Sequence, residues 1–357
     1  MTATTVNDIP PIRMLVLTLT GRCNFACQYC YAAEQEAVDM TEETALAAVR
    51  LAGKGQTRFL LQFSGGEPLL RFPLIRRIVA LVEESRMDAQ LQIQTNGSLL
   101  TREIGRWLYD HHVGIGISCD GRPAVNDRTR RTRDGSSASA WVVKAAENLT
   151  AEGIGAGMTC VVTGDMAGQL EGIADMAHVL PNIRQVGFDI LREQGRGAAL
   201  AAPDGKTMEK ALEKTVRRMD MLERMTGKKV MFTQEMRVGT LQRTGKYEFP
   251  QCYAMNGEAA FVDVHGNIYA CSSLMGQEQY RLGTVHTGRD PGKVKQVSRF
   301  IASAMRECRS CEYFPLCGGG CFSRWLRRDG RVRKSDAECA MKRFFIRRYL
   351  EKQKEEL

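Results

Sequence analysis

The residues of this chain best suited to chemistry are its twelve cysteines, and they are not scattered. Cys23, Cys27 and Cys30 lie together, seven more fall between Cys252 and Cys339, and Cys119 and Cys160 stand alone. Thiolates are soft ligands that select zinc, copper(I) or iron-sulfur centres, and short spacings let one loop wrap one centre. Both groups therefore read as metal sites. The first supplies three thiolates, one short of the four that a closed zinc or iron-sulfur site uses. It is either a zinc site completed by a distant residue or a cluster with one iron open to another ligand. The second group runs C-x13-G-x4-C from Cys252 through Gly266 to Cys271, then C-x2-C-x5-C-x3-C at Cys308, Cys311, Cys317 and Cys321, and ends at Cys339. Cys119 and Cys160 sit inside apolar, strand-like runs, where a free cysteine acts as a small buried hydrophobe.

Composition supports ligands over disulfides. Residues 1–11 are polar, without the apolar core or cleavage site of a secretory signal, so a cytoplasmic location is expected, and disulfides are rare there. The longest apolar runs, 14–17 and 78–82, are far shorter than the roughly 20 residues a membrane span needs. With 43% hydrophobic and 25% charged residues the chain is neither disordered nor collagen-like. Its 50 Lys and Arg against 41 Asp and Glu give +9, which would steer an acidic partner. The basic residues are spread and form no nucleic-acid motif, so no nucleic-acid partner is expected. The 17 methionines fit core gaps or a tolerant peptide groove.

The elements that must position these residues alternate. Strand-like runs at 14–20, 59–64, 91–95, 114–119, 158–163 and 186–191 are separated by amphipathic stretches at 41–52, 73–85, 101–111, 140–152 and 168–180, two of them opening on a Thr N-cap. A parallel crossover needs a helix-sized connection, so this alternation predicts a parallel sheet with helices on its outer face. In parallel barrels the chemistry collects at the C-terminal strand ends, where the first cysteine loop falls. After 191 a Gly/Ala-rich stretch (195–205) leads to a polar helix at about 207–226. Residues 261–270 alternate around His265-Gly266-Asn267 as a β-hairpin. Residues 308–321 lack periodicity and read as held by metal. Residues 340–357 read as a charged helix whose Phe344, Phe345 and Tyr349 pack back on the body.

C-x3-C-x2-C after the first strand, with Tyr29 before the last cysteine, resembles the radical S-adenosylmethionine (SAM) superfamily. Gly65-Gly66-Glu67-Pro68 after the second strand, Thr95-Asn96-Gly97 after the third and Ser118-Cys119-Asp120-Gly121 after the fourth are similar to that superfamily's motifs, in order. The resemblance implies that Cys23, Cys27 and Cys30 hold a 4Fe-4S cluster whose open iron binds SAM, which one electron cleaves to a 5′-deoxyadenosyl radical. It implies that Gly65, Gly66 and Glu67 receive the SAM ammonium, that Tyr29 contacts adenine, and that Ser118 contacts the methionine carboxylate or ribose. The basic turn of Arg128, Arg130, Arg131 and Arg133 either pairs with that carboxylate, as suits Arg, or is a solvated loop.

The seven later cysteines, with Gly266, resemble the SPASM domain of peptide- and protein-modifying radical SAM enzymes. That resemblance implies two auxiliary 4Fe-4S clusters, hence three in all. Cys308, Cys311, Cys317 and Cys339 would close the outer one, and Cys252, Cys271 and Cys321 would hold an inner one that is a ligand short. Glu258 is the candidate fourth ligand, unless it is solvated or the position stays open for a substrate thiolate. The expected architecture is α/β: a partial (β/α)6, TIM-like barrel over 1–194, a helical bridge over 195–248, a SPASM domain over 249–341 and a C-terminal helix over 342–357.

The activity expected first is an oxidoreductase that matures a ribosomally made peptide by a thioether or other crosslink, fed by a reductant such as flavodoxin or ferredoxin. The second is an anaerobic sulfatase-maturating enzyme; those relatives place an aspartate directly after the G-x4-C cysteine, where this chain has Ser272. A small-molecule SPASM oxidoreductase has no positive support, and the intact motifs argue against a non-enzymatic iron or zinc protein. The first strand starts almost at once, so no leader-recognition domain is expected ahead of it, and a leader would be met by the barrel mouth, the 195–240 segment or a separate protein. Gln62, Gln94, Asp189 and Arg192, near strand ends, are unassigned polar candidates.

Overall fold

The computed structural model describes residues 9–244, 252–327 and 329–355. Six parallel strands form its centre: β1 (Met14–Thr18), β2 (Phe59–Ser64), β3 (Ala89–Thr95), β4 (Gly114–Ser118), β5 (Ala156–Val162) and β6 (Ile183–Ile190), paired in sequence order. They match the six expected runs to within a few residues. Between them lie α1 (Glu42–Gly53), α2 (Phe72–Glu84), α3 (Arg102–Asp110), α4 (Pro123–Thr129), α5 (Ala138–Ala151) and α6 (Gly172–Val179). Thr41, Thr101 and Ser137 cap α1, α3 and α5 by accepting the backbone N–H three residues on. The short α4 was not anticipated.

Successive strand side chains point to opposite faces, and here the two faces differ in kind. Leu61 and Phe63 of β2, Ile93 of β3, Ile117 of β4 and Cys160 of β5 are buried in the core cluster that also contains the helices' apolar residues. The alternate residues Gln62, Ser64, Gln94, Ser118, Thr159 and Asp189 line a cavity on the other face. β2, β3 and β4 are therefore apolar outward and polar inward, while β1 turns Met14 and Val16 and β5 turns Val161 to the same cavity.

The sheet does not stop at six strands and does not close. Beyond β6 it adds β7 (Met231–Phe232), and beyond β1 it adds β8 (Ala259–Val262), β9 (Asn267–Tyr269), β10 (Arg281–Thr284) and β11 (Gly288–Arg289), giving one eleven-stranded open sheet among the described residues. The expected hairpin is β8 and β9, but β8 also pairs in parallel with β1. The cysteine-rich region thus extends the barrel's own sheet along the free edge of β1. The expected helical bridge contains α7 (Gly205–Thr226), started by Asp204 and ended by Gly227, then β7 and α8 (Thr233–Thr244). The expected boundary at 248/249 lies outside the described residues.

After β11 come α9 (Pro291–Ala304), the short α10 (Phe314–Cys317) and α11 (Phe322–Trp325), and α12 (Asp336–Glu355). The last helix begins four residues earlier than expected, so it carries Cys339. It packs on α7 and α8, with Phe345 buried against Phe188 and Phe232 and Arg348 paired to Asp220 and Glu235. Among the described residues no helix is long and apolar enough to cross a membrane.

Candidate functional site

The loop carrying Cys23, Cys27 and Cys30 follows β1 and is held almost entirely by its neighbours. Gly66 N donates to Thr20 O at 2.8 Å and Glu67 N to Arg22 O at 3.0 Å, tying the end of β2 to the chain just ahead of Cys23. This approach requires glycine: a Cβ on Gly65 would lie 2.4 Å from Thr20 O, and one on Gly66 2.1 Å from Arg22 O. From the other side Ala26 N donates to Arg131 O and Gln28 N to Thr129 O, while Arg133 Nε donates to Cys23 O at 2.8 Å. Arg196 donates to Cys27 O through Nε and to Cys30 O through its backbone N. The stretch after β6, read from sequence as a Gly/Ala-rich lead into the bridge helix, is therefore a clamp. A Cβ on Gly195, whose φ is +53°, would meet Cys30 O at 2.5 Å.

Around this loop the expected SAM-site residues converge on one cavity of about 510 Å³. Glu67, 1% exposed, accepts from Thr95 Oγ1 (2.7 Å), Asn96 N (2.8 Å) and Leu69 N (3.1 Å), so its carboxylate is fixed in place. Burial raises its pKa, and these donors oppose the rise. Tyr29 donates to Asp120 Oδ2 at 2.6 Å and lies under the Arg130 guanidinium, 5.3 Å from the ring centre. Burial lifts its phenol well above the ordinary value. Ser118 Oγ accepts from Gln94 Nε2 at 2.9 Å. Of the four basic-turn residues only Arg130 and Arg133 line the cavity; Arg128 and Arg131 are exposed, as in the solvated-loop alternative. Arg130 is buried against Asp120 at 3.2 Å, a pairing that spacing alone could not reveal.

Cys252, Cys271 and Cys321 line the same cavity, together with Gln62, Asp189, Arg192 and Tyr31. Two sets of three cysteines thus share one cavity. Glu258 is not there. Its carboxylate pairs with Arg13 at 3.1 Å, and its backbone carbonyl accepts from the N–H of Arg13 and Met14 at the start of β1. The expectation that it could complete the inner centre is therefore corrected: β8 seats it at the far end of the strands. Burial would raise the Asp189 carboxyl, but the Arg192 and Arg324 guanidiniums hold it down to about 2.

Cys308, Cys311, Cys317 and Cys339 line a separate cavity of about 40 Å³, ringed by Lys334, Lys342 and Arg343. Between this set and the inner one stands Glu338, fully buried and not anticipated. Its carboxylate accepts from Cys321 N (3.1 and 3.0 Å), Arg324 Nη1 (2.6 Å) and Trp325 Nε1 (3.3 Å). Its position directly before Cys339 was the available signal. Arg324 continues the link to Asp189, so one chain of charge runs from the outer set to the cavity wall.

Burial pushes the thiols of Cys23, Cys252 and Cys339 up to about 12 and raises those of Cys27, Cys271 and Cys308. A soft, cationic centre is what converts such thiols to thiolate ligands, so the donor sets and cavities fit bound iron-sulfur clusters. Among the described residues no three His, Cys, Asp or Glu side chains converge on a single ion. Cys119 and Cys160 are buried in the core, as expected of lone cysteines.

Residues 17–177 match the Radical SAM superfamily. The chain carries a radical SAM domain. A radical SAM domain implies SAM and a 4Fe-4S cluster, and the cysteine-rich C-terminal region is consistent with a SPASM domain. The enzyme is 26% identical to the serine-type anaerobic sulfatase-maturating enzyme of Klebsiella aerogenes over 87% of this chain and 80% of that one. Its fold is similar to native anSMEcpe with bound AdoMet and Cp18Cys peptide, at a TM-score of 0.76 and 20% identity, covering 96% of this chain and 99% of that one. It is also similar to Streptococcus suis SuiB bound to the precursor peptide SuiA, at 0.68 and 17%, covering 92% and 76%.

Proposed function

We propose that this radical SAM enzyme is a peptide maturase that joins a cysteine sulfur of a ribosomally made peptide to carbon, as a thioether or a related crosslink. The observation that carries this reading is the single cavity shared by the SAM-site residues and by Cys252, Cys271 and Cys321, with no fourth protein ligand among the described lining residues. In this reading Cys23, Cys27 and Cys30 hold the SAM cluster, Cys308, Cys311, Cys317 and Cys339 the closed outer cluster, and the three inner cysteines a cluster that a substrate thiolate completes. Gly65, Gly66 and Glu67 receive the SAM ammonium, Tyr29 the adenine, and Ser118 with Arg130 the methionine carboxylate or ribose. When bound, SAM and the reduced cluster would supply one-electron hydrogen abstraction, and the auxiliary clusters would take the second electron. The chain's own residues hold these groups, exclude water and orient the peptide. A flavodoxin- or ferredoxin-type reductant, and a separate leader-binding protein if the substrate has a leader, would complete the system.

Formylglycine formation on a sulfatase is the second reading, favoured by the full-length similarity to sulfatase maturases. It needs a base near the attacked carbon. Here the residue after Cys271 is Ser272, and the carboxylates among the described cavity residues are Glu67, fixed by three donors, and Asp189, too acidic to accept a proton near neutral pH. A substrate thiol held at the inner three-cysteine site would bind there as thiolate and would need no such base.

The test is mass spectrometry of cysteine-containing peptides after incubation with SAM and the anaerobically reconstituted, dithionite-reduced enzyme. The maturase reading predicts 5′-deoxyadenosine and a product lighter by two hydrogens that has lost its free thiol. A sulfur-free aldehyde product would replace it with the sulfatase reading.

A further inference from the structure

A second concavity, a groove of about 1380 Å³, adjoins the reaction cavity, and Tyr31, Arg196 and Ser272 line both. Its walls include the segment after the SAM-cluster cysteines, the clamp after β6 and the loop after Cys271, with the β8–β9 turn and Leu326, Arg327 and Gly330 beside them. Part of its charge is paired within the wall, while Glu34 and Arg131 are exposed. Glu193 pairs with Arg327 and Glu36 with His265, and the Asp263 carboxylate accepts from His265 N and Asn267 N at 2.9 Å each.

What the wall leaves unsatisfied is polar but uncharged. Gln35 Oε1, Gln194 Oε1 and Ser273 Oγ are buried and have no hydrogen-bond partner, and Ser273 is only 8% exposed. All three residues line the groove, one each from the segment after the SAM-cluster cysteines, the clamp and the loop after Cys271. The amide nitrogens are already engaged, Gln35 Nε2 with Met275 Sδ and Gln194 Nε2 with Ser323 O, each at 3.5 Å, which leaves the oxygens as the available atoms. A buried polar atom without a partner costs about 1–3 kcal/mol. Three of them on one groove describe a surface that awaits N–H donors and a carbonyl, spaced along an uncharged ligand. An extended peptide main chain has that pattern.

We propose that this groove binds the main chain of the substrate peptide in extended form. Gln35 and Gln194 accept backbone N–H groups, Ser273 Oγ donates to a backbone carbonyl, and the attacked residue passes Tyr31 and Ser272 into the cavity. This rests on the peptide-maturase reading. It adds that recognition here is through the backbone and tolerant of side chains.

The test uses the full-length, cluster-loaded enzyme with SAM and a fluorescent pool of degenerate nonapeptides bearing a central cysteine, read by anaerobic anisotropy. The pool should bind the wild type, and Gln35→Leu and Gln194→Leu should each weaken binding about tenfold, the equivalent of about 1.4 kcal/mol. Backbone N-methylation of the pool should weaken it similarly. That arm and Ser273→Ala keep the test decisive if a Gln variant loads clusters poorly. Binding that is indifferent to the variants and to N-methylation overturns the groove and leaves the peptide reading standing. A wild type that binds no member of the pool overturns both.

Discussion

The inner and outer cysteine sets share a short stretch of chain yet are built for opposite purposes. The outer set has four sulfurs around about 40 Å³, closed off by Lys334, Lys342 and Arg343. The inner set has three, on the wall of a space of about 510 Å³ that also holds the SAM-site residues. The difference teaches that a missing ligand matters only where there is room for a replacement. Glu338 makes the contrast sharper, since it grips Cys321 N of the inner set while sitting next to Cys339 of the outer set in the chain. The two sites are mechanically joined and chemically distinct.

That comparison can be broken in several ways, and the largest effect lies outside both sets. Cys27→Ala should reduce 5′-deoxyadenosine formation to background by chromatography, because in the proposed reading it removes a ligand of the SAM cluster; turnover equal to wild type would contradict the assignment. Next, the wild type should contain about twelve irons and twelve sulfides per chain, four of each per cluster. Cys311→Ala and Cys271→Ala should each lower this to about eight. Of the two, only Cys271→Ala should abolish the response of the remaining clusters to a cysteine peptide. About eight irons in the wild type would mean that one auxiliary site binds no cluster.

Smaller effects probe the charge chain that links the sites. Glu338→Gln breaks a buried pair with Arg324 and should destabilise the fold by about 3 kcal/mol in denaturant titration. Asp189→Asn should cost about 2 kcal/mol near neutral pH, since the folded carboxyl is held at about 2 rather than 3.8. A depressed folded pKa contributes stability that is complete above the unfolded pKa, so the difference between wild type and variant should shrink as pH falls from about 4 to about 2. A pH-independent difference would contradict the ion-pair assignment. The smallest effect is expected at Glu258, where Glu258→Ala removes only a half-exposed pair with Arg13. It should change stability by less than about 0.5 kcal/mol and leave the inner cluster's Mössbauer spectrum unaltered.

The sequence shows clearly what is local. The six central strands, the hairpin around Gly266 and the motif residues at strand ends are periodic or contiguous, and the fold places the SAM-site residues and the inner cysteines on one cavity. Long-range pairing is not local: nothing in residues 259–262 says that they extend β1, and nothing in Gly195-Arg196-Gly197 says that they clamp the cluster loop. The partners of Asp189 lie both three and 135 residues away, so its acidity could not be read from spacing. α9 is a different kind of miss. Asp290 caps it, Pro291 opens it, and Val294, Val297 and Ile301 form a buried face, all visible in the sequence but overshadowed by the cysteine pattern around it.

The central claim is that the inner three-cysteine site presents an open iron to a substrate thiol, facing the SAM site. A selenocysteine peptide bound to the reconstituted enzyme and examined by selenium-edge X-ray absorption tests it most directly. The account predicts an iron neighbour in the selenium scattering that disappears in Cys271→Ala and persists in Cys311→Ala. Selenium surrounded only by carbon in the wild type would contradict it.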